Sequence, residues 1–268
     1  MYKKAIRITL TIFLVLLLGF GIWLANVLRH YTAPILMYHY INDEEPKRSK
    51  LGVSLATFER QMRFLRENKY NVIPLGELAD IIKKKKKIPP KTAVVTFDDG
   101  YLDNYTNAFP ILKKYGIPAT IFIVIDRVGR RLGRDDYMDW QQIKELSDSG
   151  LVTIGCHSMT HPNLSEILSE EELKREICQS KLLLEGVLGK GVDLFSYPFG
   201  GINPKARSFV MACGYRAAVG TNFPLGYPND DIIALKRLRI SESAGNMFVF
   251  WVEISGFYTY VKEHRDSY

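Results

Sequence analysis

The sequence predicts an α/β fold: a distorted or incomplete (β/α) barrel of about seven parallel strands, preceded by one transmembrane helix. Three observations carry this prediction. An uncharged apolar stretch runs from Ile8 to Leu28 near the N-terminus. Beyond it, short runs rich in apolar and β-branched residues alternate with stretches of helical periodicity, which implies parallel pairing through right-handed crossovers. No glycine-rich phosphate-binding turn follows the first strand, which favours a barrel over a doubly wound sheet.

Composition bounds the rest. The chain has 268 residues, 47% apolar and 24% charged, so a mostly disordered protein is excluded. The net charge of +7 is mild. The basic residues are dispersed and no nucleic-acid-binding motif is present, so no nucleic-acid partner is expected. Cys156, Cys178 and Cys213 are too few and too scattered to suggest a disulfide framework, and no CxxC pair offers a thiolate zinc site.

Residues 1–28 form the expected cytoplasmic tail and anchor. The 21 uncharged residues from Ile8 to Leu28 would span about 32 Å as a helix, enough for a bilayer core. Lys3, Lys4 and Arg7 precede the stretch and Arg29 follows it, which places the N-terminus inside and the domain of residues 29–268 outside. Lys47, Arg48 and Lys50 on the outer flank weaken that bias. A cleaved signal peptide is the alternative, but the apolar stretch exceeds the usual length and no A-x-A site lies near Ala25. Either way the domain is periplasmic or extracellular.

The elements follow in order. Ala33–His39 reads as a strand, and Ser54–Asn68 as a helix with Phe58, Met62 and Leu65 on one face. Val72–Ile73 is a short extended piece. Leu75–Lys87 reads as a helix ending in five lysines, which suits the negative end of its dipole. Thr92–Phe97 is a β-branched strand, and Tyr101–Tyr115 a helix stopped by Gly116. Strand Ala119–Val124, helix Trp140–Ser149 and strand Leu151–Cys156 come next. Ser169–Leu188 reads as one long helix, with Ser169 and Glu172 in a capping-box pattern. Leu194–Tyr197, Ala217–Val219 and Ile233–Ile240 read as further strands, with a helix at Pro204–Cys213.

Reactive groups of a βα barrel gather at the C-terminal ends of its strands. Three strand ends carry unusual residues. Thr96-Phe97-Asp98-Asp99-Gly100 places two adjacent carboxylates where Gly100 permits a turn, and only a turning strand lets both share a site. His157-Ser158-Met159-Thr160-His161 offers two imidazoles one helical turn apart if the loop coils; with one carboxylate they make a three-ligand metal set that leaves open positions. Phe195-Ser196-Tyr197-Pro198-Phe199-Gly200-Gly201 gives a bent rim with aromatic side chains. Taken singly, these read equally as an Asp-Gly turn, a surface histidine pair and a plain strand-to-loop turn.

Together the three motifs resemble the polysaccharide deacetylase family, the carbohydrate esterases of family 4 with the NodB-type homology domain. TFDDG at 96–100 and HSMTH at 157–161 match its first two motifs. MYHY at 37–40, the FERQMRFL helix, ALKRLRI and FVFWVEISG look like its poly-N-acetylglucosamine deacetylase branch. The resemblance covers roughly residues 33–260. It implies a distorted barrel, a divalent metal (often zinc) and hydrolysis of N-acetyl groups on an amino-sugar polymer. It makes Asp98 the general base, and Asp99, His157 and His161 the metal ligands. It puts Phe199 where a backbone N–H faces the oxyanion.

Two family features are absent. The third motif begins with an arginine where this chain has Ser196, and the late motif carries a histidine where residues 235–240 read LKRLRI. His39, at the end of the first strand, is the one remaining histidine that a barrel would bring to its rim; it is the candidate general acid, or else a buried histidine in a Tyr38-His39-Tyr40 cluster. Arg237, expected on the same face of one strand as Arg239, is the candidate charge partner of Asp98, or else a solvated strand-end charge. Tyr101, Trp140 and Tyr197 are candidate sugar-stacking residues, with core packing as the alternative. Lys83–Lys87 could touch an anionic polymer or lipid headgroups, or simply end a helix in water. Competing functions are a catalytically inactive glycan-binding or scaffold protein on the same fold, and an amidase or esterase acting on small substrates.

Overall fold

In a computed structural model, residues 2–29, 32–221, 231–256 and 258 are described. Helix α1 (Tyr2–Arg29) holds one segment, Ile6–Ala25, long and apolar enough to cross a membrane. Eight parallel strands follow: β1 (Ile35–Tyr38), β2 (Thr92–Phe97), β3 (Ala119–Ile123), β4 (Val152–Cys156), β5 (Leu194–Ser196), β6 (Ala217–Gly220), β7 (Leu235–Lys236) and β8 (Leu238–Arg239). Their order is β7-β6-β5-β4-β3-β2-β1-β8. The two outermost strands are separated in sequence by Arg237 alone, so one extended segment nearly closes a barrel. It pairs with β6 through Leu235 opposite Val219, and with β1 through Leu238 opposite Leu36.

This corrects the reading of Ile233–Ile240 as one strand. Arg237, between the two halves, is buried, whereas Arg239 is exposed. A regular strand would have put both on one face.

The helices wrap the barrel where apolar periodicity places them. In α2 (Leu55–Glu67), Ser54 caps the start by accepting from Thr57 N, and Phe58, Met62 and Leu65 are buried. Helix α3 (Leu75–Lys83) crosses the N-terminal end of the barrel. Its Leu75, Leu78 and Ala79 cluster with Ile35, Val94, Leu194, Ala217 and Leu235, near the starts of five strands. The helix ends at Lys83, before the rest of the lysine run.

Two expected helices are irregular. Tyr101–Tyr115 resolves into a wide π-type turn at Asn104–Ala108 and α4 (Phe109–Tyr115), while Tyr101 lies outside any helix, bridged to Tyr137. Helix α5 (Trp140–Asp148) has a full capping box from Asp139 and Gln142. Ser169–Leu188 divides into α6 (Glu170–Lys174), a second π-type turn at Arg175–Gln179, and α7 (Ser180–Leu188). Helices α8 (Pro204–Ala212) and α9 (Met247–Glu253) complete the set.

The cysteine expectation also needs correction. Cys178, in the second π-type turn, and Cys213, at the end of α8, form a disulfide across 35 residues. Tyr215 anchors the same turn by donating its hydroxyl to Ile177 O at 2.9 Å. Cys156, next to His157, is a buried free thiol.

Candidate active site

The C-terminal end of the barrel carries the unusual residues. Asp98 continues β2 far enough for its N–H to donate to Tyr38 O at 3.0 Å. At Asp99 the backbone turns left-handed, with φ of 72°, and Gly100 follows at 77°. That reversal lets neighbouring carboxylates face one site. His157 and His161 come from the loop after β4. The loop does not coil into a helical turn as the HxxxH spacing suggested. Ser158 and His161 both adopt positive φ, 69° and 68°, and the Ser158 hydroxyl accepts from His161 N at 2.9 Å. Left-handed non-glycine residues are uncommon and gather at functional sites. Of the seven among the described residues, four (Asp99, Ser158, His161 and Phe199) ring this site.

One donor atom each from Asp99, His157 and His161 lies within 4.8 Å of the others. His161 Nε2 is 3.2 Å, and His157 Nε2 4.0 Å, from Asp99 Oδ1. His157 Nδ1 lies 2.7 Å from Ser196 O, a carbonyl that can only accept, so Nδ1 carries a proton and Nε2 is the ring atom turned toward the carboxylates. Burial, reinforced by the neighbouring His157, pushes the His161 imidazole down to about 3, so it is a neutral donor. Two imidazoles and one carboxylate fit a divalent cation.

Asp98 lies beside this set, with Oδ2 3.7 Å from His157 Nε2. Its partner is Arg237, which places Nη1 2.7 Å from Oδ1 and Nη2 2.5 Å from Oδ2. Ser196 Oγ accepts from Arg237 Nη2 at 2.9 Å and donates to Asp98 Oδ2 at 3.3 Å. Burial opposes ionisation of Asp98, but the Arg237 guanidinium overrides it and holds the carboxyl well below the usual range. The charge partner thus comes from the segment that closes the barrel, and Ser196 leaves room for it.

The other sequence candidates are distributed unevenly. His39 is buried near Asp98, Asp99, Arg237 and His157, which all act on its charge; burial lowers its pKa, and its Nδ1 has no hydrogen-bond partner among the described residues. Phe199 has φ of 57° and is 68% exposed, its ring edge-on to His161 at 4.7 Å. Trp140 is half-buried against the core. Tyr197 is 1% exposed and packs edge-on against Phe195, so its ring has no open face for a sugar. Tyr101 is also buried, stacked between Tyr40 and Tyr137 at 3.8 and 5.0 Å. For these two tyrosines the stacking expectation is corrected to a packing role. The other two histidines, His30 and His264, lie outside the described residues.

Two residues were not singled out in the sequence. Arg127, in the turn after β3, donates from Nη1 to Asp99 Oδ1 at 3.0 Å and to the Tyr137 hydroxyl at 3.3 Å. Glu176, fully buried in the second π-type turn, grips the histidine loop. Its carboxylate accepts from Met159 N, Thr160 N and Thr160 Oγ1 at 3.0, 2.8 and 2.9 Å. No local pattern marks either one, since both act on residues far away in sequence.

Comparison with known proteins agrees with this architecture. The family model described as polysaccharide deacetylase matches residues 85–218. A Bacillus subtilis relative, YxkH, whose name places it among polysaccharide deacetylases, is 32% identical over 221 residues, covering 82% of this chain and 76% of its own. The poly-β-1,6-N-acetyl-D-glucosamine N-deacetylase of Staphylococcus aureus is 28% identical over 228 residues, covering 82% and 76%. Among solved structures, a Streptococcus pyogenes deacetylase in complex with acetate superposes with a TM-score of 0.73 at 25% identity, covering 83% of this chain and 97% of that one. The chain belongs to the polysaccharide deacetylase family.

Proposed function

We propose that this protein is a metal-dependent hydrolase that removes N-acetyl groups from an N-acetylglucosamine-containing polysaccharide at the cell surface or in export. The observation that carries the reading is the convergence of Asp99, His157 and His161 beside an ionised, buried Asp98 at the barrel mouth. The name of the Staphylococcus aureus relative supports a glucosamine polymer as substrate.

Asp99, His157 and His161 would hold the cation, with zinc the best match to two imidazoles and a carboxylate. When bound, it would polarise the acetyl carbonyl and make water more acidic. The chain's own groups do the rest. Asp98, oriented by Arg237 and Ser196, takes a proton from the attacking water. Such transfer by a positioned group is worth about 10²–10⁴-fold. The Phe199 N–H steadies the developing oxyanion, a contribution of about 3 kcal/mol for such donors. His39 is the acid for the leaving amine. Being buried and neutral, it must hold a proton before it can give one to the amine, and Asp98 and Asp99 are the anions whose charge favours that state. After each turnover the proton that Asp98 took from water restores the one His39 gave to the amine, so the site returns to its starting protonation.

The membrane assignment rests on α1, with Lys3, Lys4 and Arg7 on its inner side, as a single-pass anchor of the cytoplasmic membrane. The Cys178–Cys213 bond supports a domain outside the cytoplasm, since disulfides persist in oxidising compartments.

Acetate release from β-1,6-linked N-acetylglucosamine oligomers, chitin oligomers and peptidoglycan fragments tests the reading. Release should stop with chelator and return with zinc. Asp98→Asn should lose at least about 100-fold in kcat with its metal content intact, and His39→Ala should lose a comparable factor. Release indifferent to chelator, or normal turnover by Asp98→Asn, would overturn it.

A further inference from the structure

The end of the barrel opposite the active site is closed by α3, and the chain leaves α3 through Lys83–Lys87, all exposed. This run leads into β2, the neighbour of β1. Ile35 stands opposite Val94, and Val94 N donates to Pro34 O at 3.0 Å. Both parallel strands start at this end, β1 three residues after Thr32 and β2 five residues after Lys87, so the lysine run and the entry of the chain from α1 lie at the same end of the barrel.

That entry is short. Ala33 is already buried in the domain, and only residues 30–32 separate it from Arg29, the last residue of α1. Fully extended, they reach at most about 14 Å. The inference rests on the reading of α1 as an uncleaved membrane anchor. With α1 in a bilayer, such a tether keeps the α3 end of the barrel at the membrane surface.

The charge of this end suits one kind of surface. Residues 69–91 carry seven lysines against Glu77 and Asp80. Asp80 and the adjacent Asp193 are engaged by Arg216, at 3.0 and 2.7 Å. The five exposed lysines of the run outnumber Glu77, the exposed acid of α3, so the face is left net positive. A polybasic segment is drawn to anionic headgroups within about one Debye length, roughly 8 Å at physiological salt, and the tether holds it near that range. We propose that Lys83–Lys87 form a docking surface for anionic lipid headgroups of the bilayer that α1 crosses. Two attachments, the helix and the lysines, then fix the barrel upright, with the Asp98 and His157 mouth facing away from the membrane toward polymer outside.

The full chain reconstituted in lipid nanodiscs tests this. A fluorophore is attached at Lys85→Cys or, on the mouth side, at Leu132→Cys, and quenched by a headgroup-labelled lipid; the native cysteines are buried or bonded, so the new thiol labels selectively. In discs with about 30% anionic lipid, the position-85 probe should be quenched at least about threefold more than the position-132 probe. That excess should fall by half or more in about 0.5 M salt, in zwitterionic discs, and when Lys83, Lys84, Lys86 and Lys87 are all changed to Gln. The four-glutamine variant should keep its acetate release from soluble oligomers. Equal quenching at the two positions, or insensitivity to lipid charge, overturns the proposal. Tighter binding of long-chain polyphosphate than of anionic discs overturns it in favour of a soluble polymer. A chain that elutes free of discs overturns the anchor as well, whereas inactivity of a correctly oriented chain overturns the deacetylase reading alone.

Discussion

Arg237 spreads its guanidinium over both oxygens of Asp98 inside the protein, and the site's electrostatics depend on that pair. With its pKa depressed, Asp98 contributes stability above the unfolded carboxyl value near 4, and that contribution is lost as pH falls through the lower folded value. Arg237→Gln leaves a buried carboxylate without its cation. Burial then dominates, and the acid limb of kcat/KM should rise by about 1–3 pH units. The variant should lose about 3–5 kcal/mol of stability at pH 8 and less near pH 5, where the carboxyl can protonate. An unmoved acid limb, together with equal urea midpoints at the two pH values, would separate Arg237 from Asp98. The carboxylates and imidazoles were legible in the sequence because TFDDG and HSMTH are local patterns. Arg127 was not, because its contact with Asp99 spans 28 residues and depends on the turn after β3.

At the scale of elements, the site is built from loops held in conformations that regular structure does not supply. The histidine loop has left-handed residues at Ser158 and His161, and it is kept in place by Glu176 from the π-type turn before α7. In the sequence this stretch reads as plain helix, since a wide turn leaves the apolar spacing almost unchanged, and Glu176 is then one more charge on it. Glu176→Ala would remove the side-chain acceptor of Met159 N, Thr160 N and the Thr160 hydroxyl. Met159 N keeps the Glu176 carbonyl at 3.1 Å, and the exposed Thr160 can turn to water, so the loss is a fraction of the about 1–3 kcal/mol that each fully buried orphan would cost. The apo protein, held in chelator so that no cation supports the loop, should lose roughly 1–2 kcal/mol, and the Thr160 amide should exchange faster. Glu176→Gln, which keeps one acceptor oxygen, should lose less. Wild-type protection of Thr160 in Glu176→Ala would show that the loop holds itself. At the rim, Gly200 has φ of 70°, and a Cβ there would lie 1.6 Å from Thr221 O. The Gly-Gly pair after Phe199 was therefore readable as a turn, but not the close approach that requires it.

For the whole molecule, the alternation of strands and helices predicted the barrel because each crossover is local, whereas its closure is not. The last extended segment joins β6 to β1 across nearly the full length of the domain, and only that junction brings Arg237 to Asp98. Cysteine pairing was hidden for the same reason. Cys178 and Cys213 are 35 residues apart and meet only after α8 has packed against the turn before α7. The chain-entropy relation for a loop of that length gives about 4 kcal/mol of stabilisation. Reduction, or the double change Cys178→Ala and Cys213→Ala, should lower the urea midpoint accordingly. The bond constrains the unfolded chain and touches none of the proposed metal ligands, so acetate release per folded molecule should stay near wild type under conditions where the variant is folded. Unchanged midpoints on reduction would mean that the two sulfurs are not bonded in solution. Lost activity in fully folded protein would instead make the bond part of how Glu176, two residues away, holds the histidine loop.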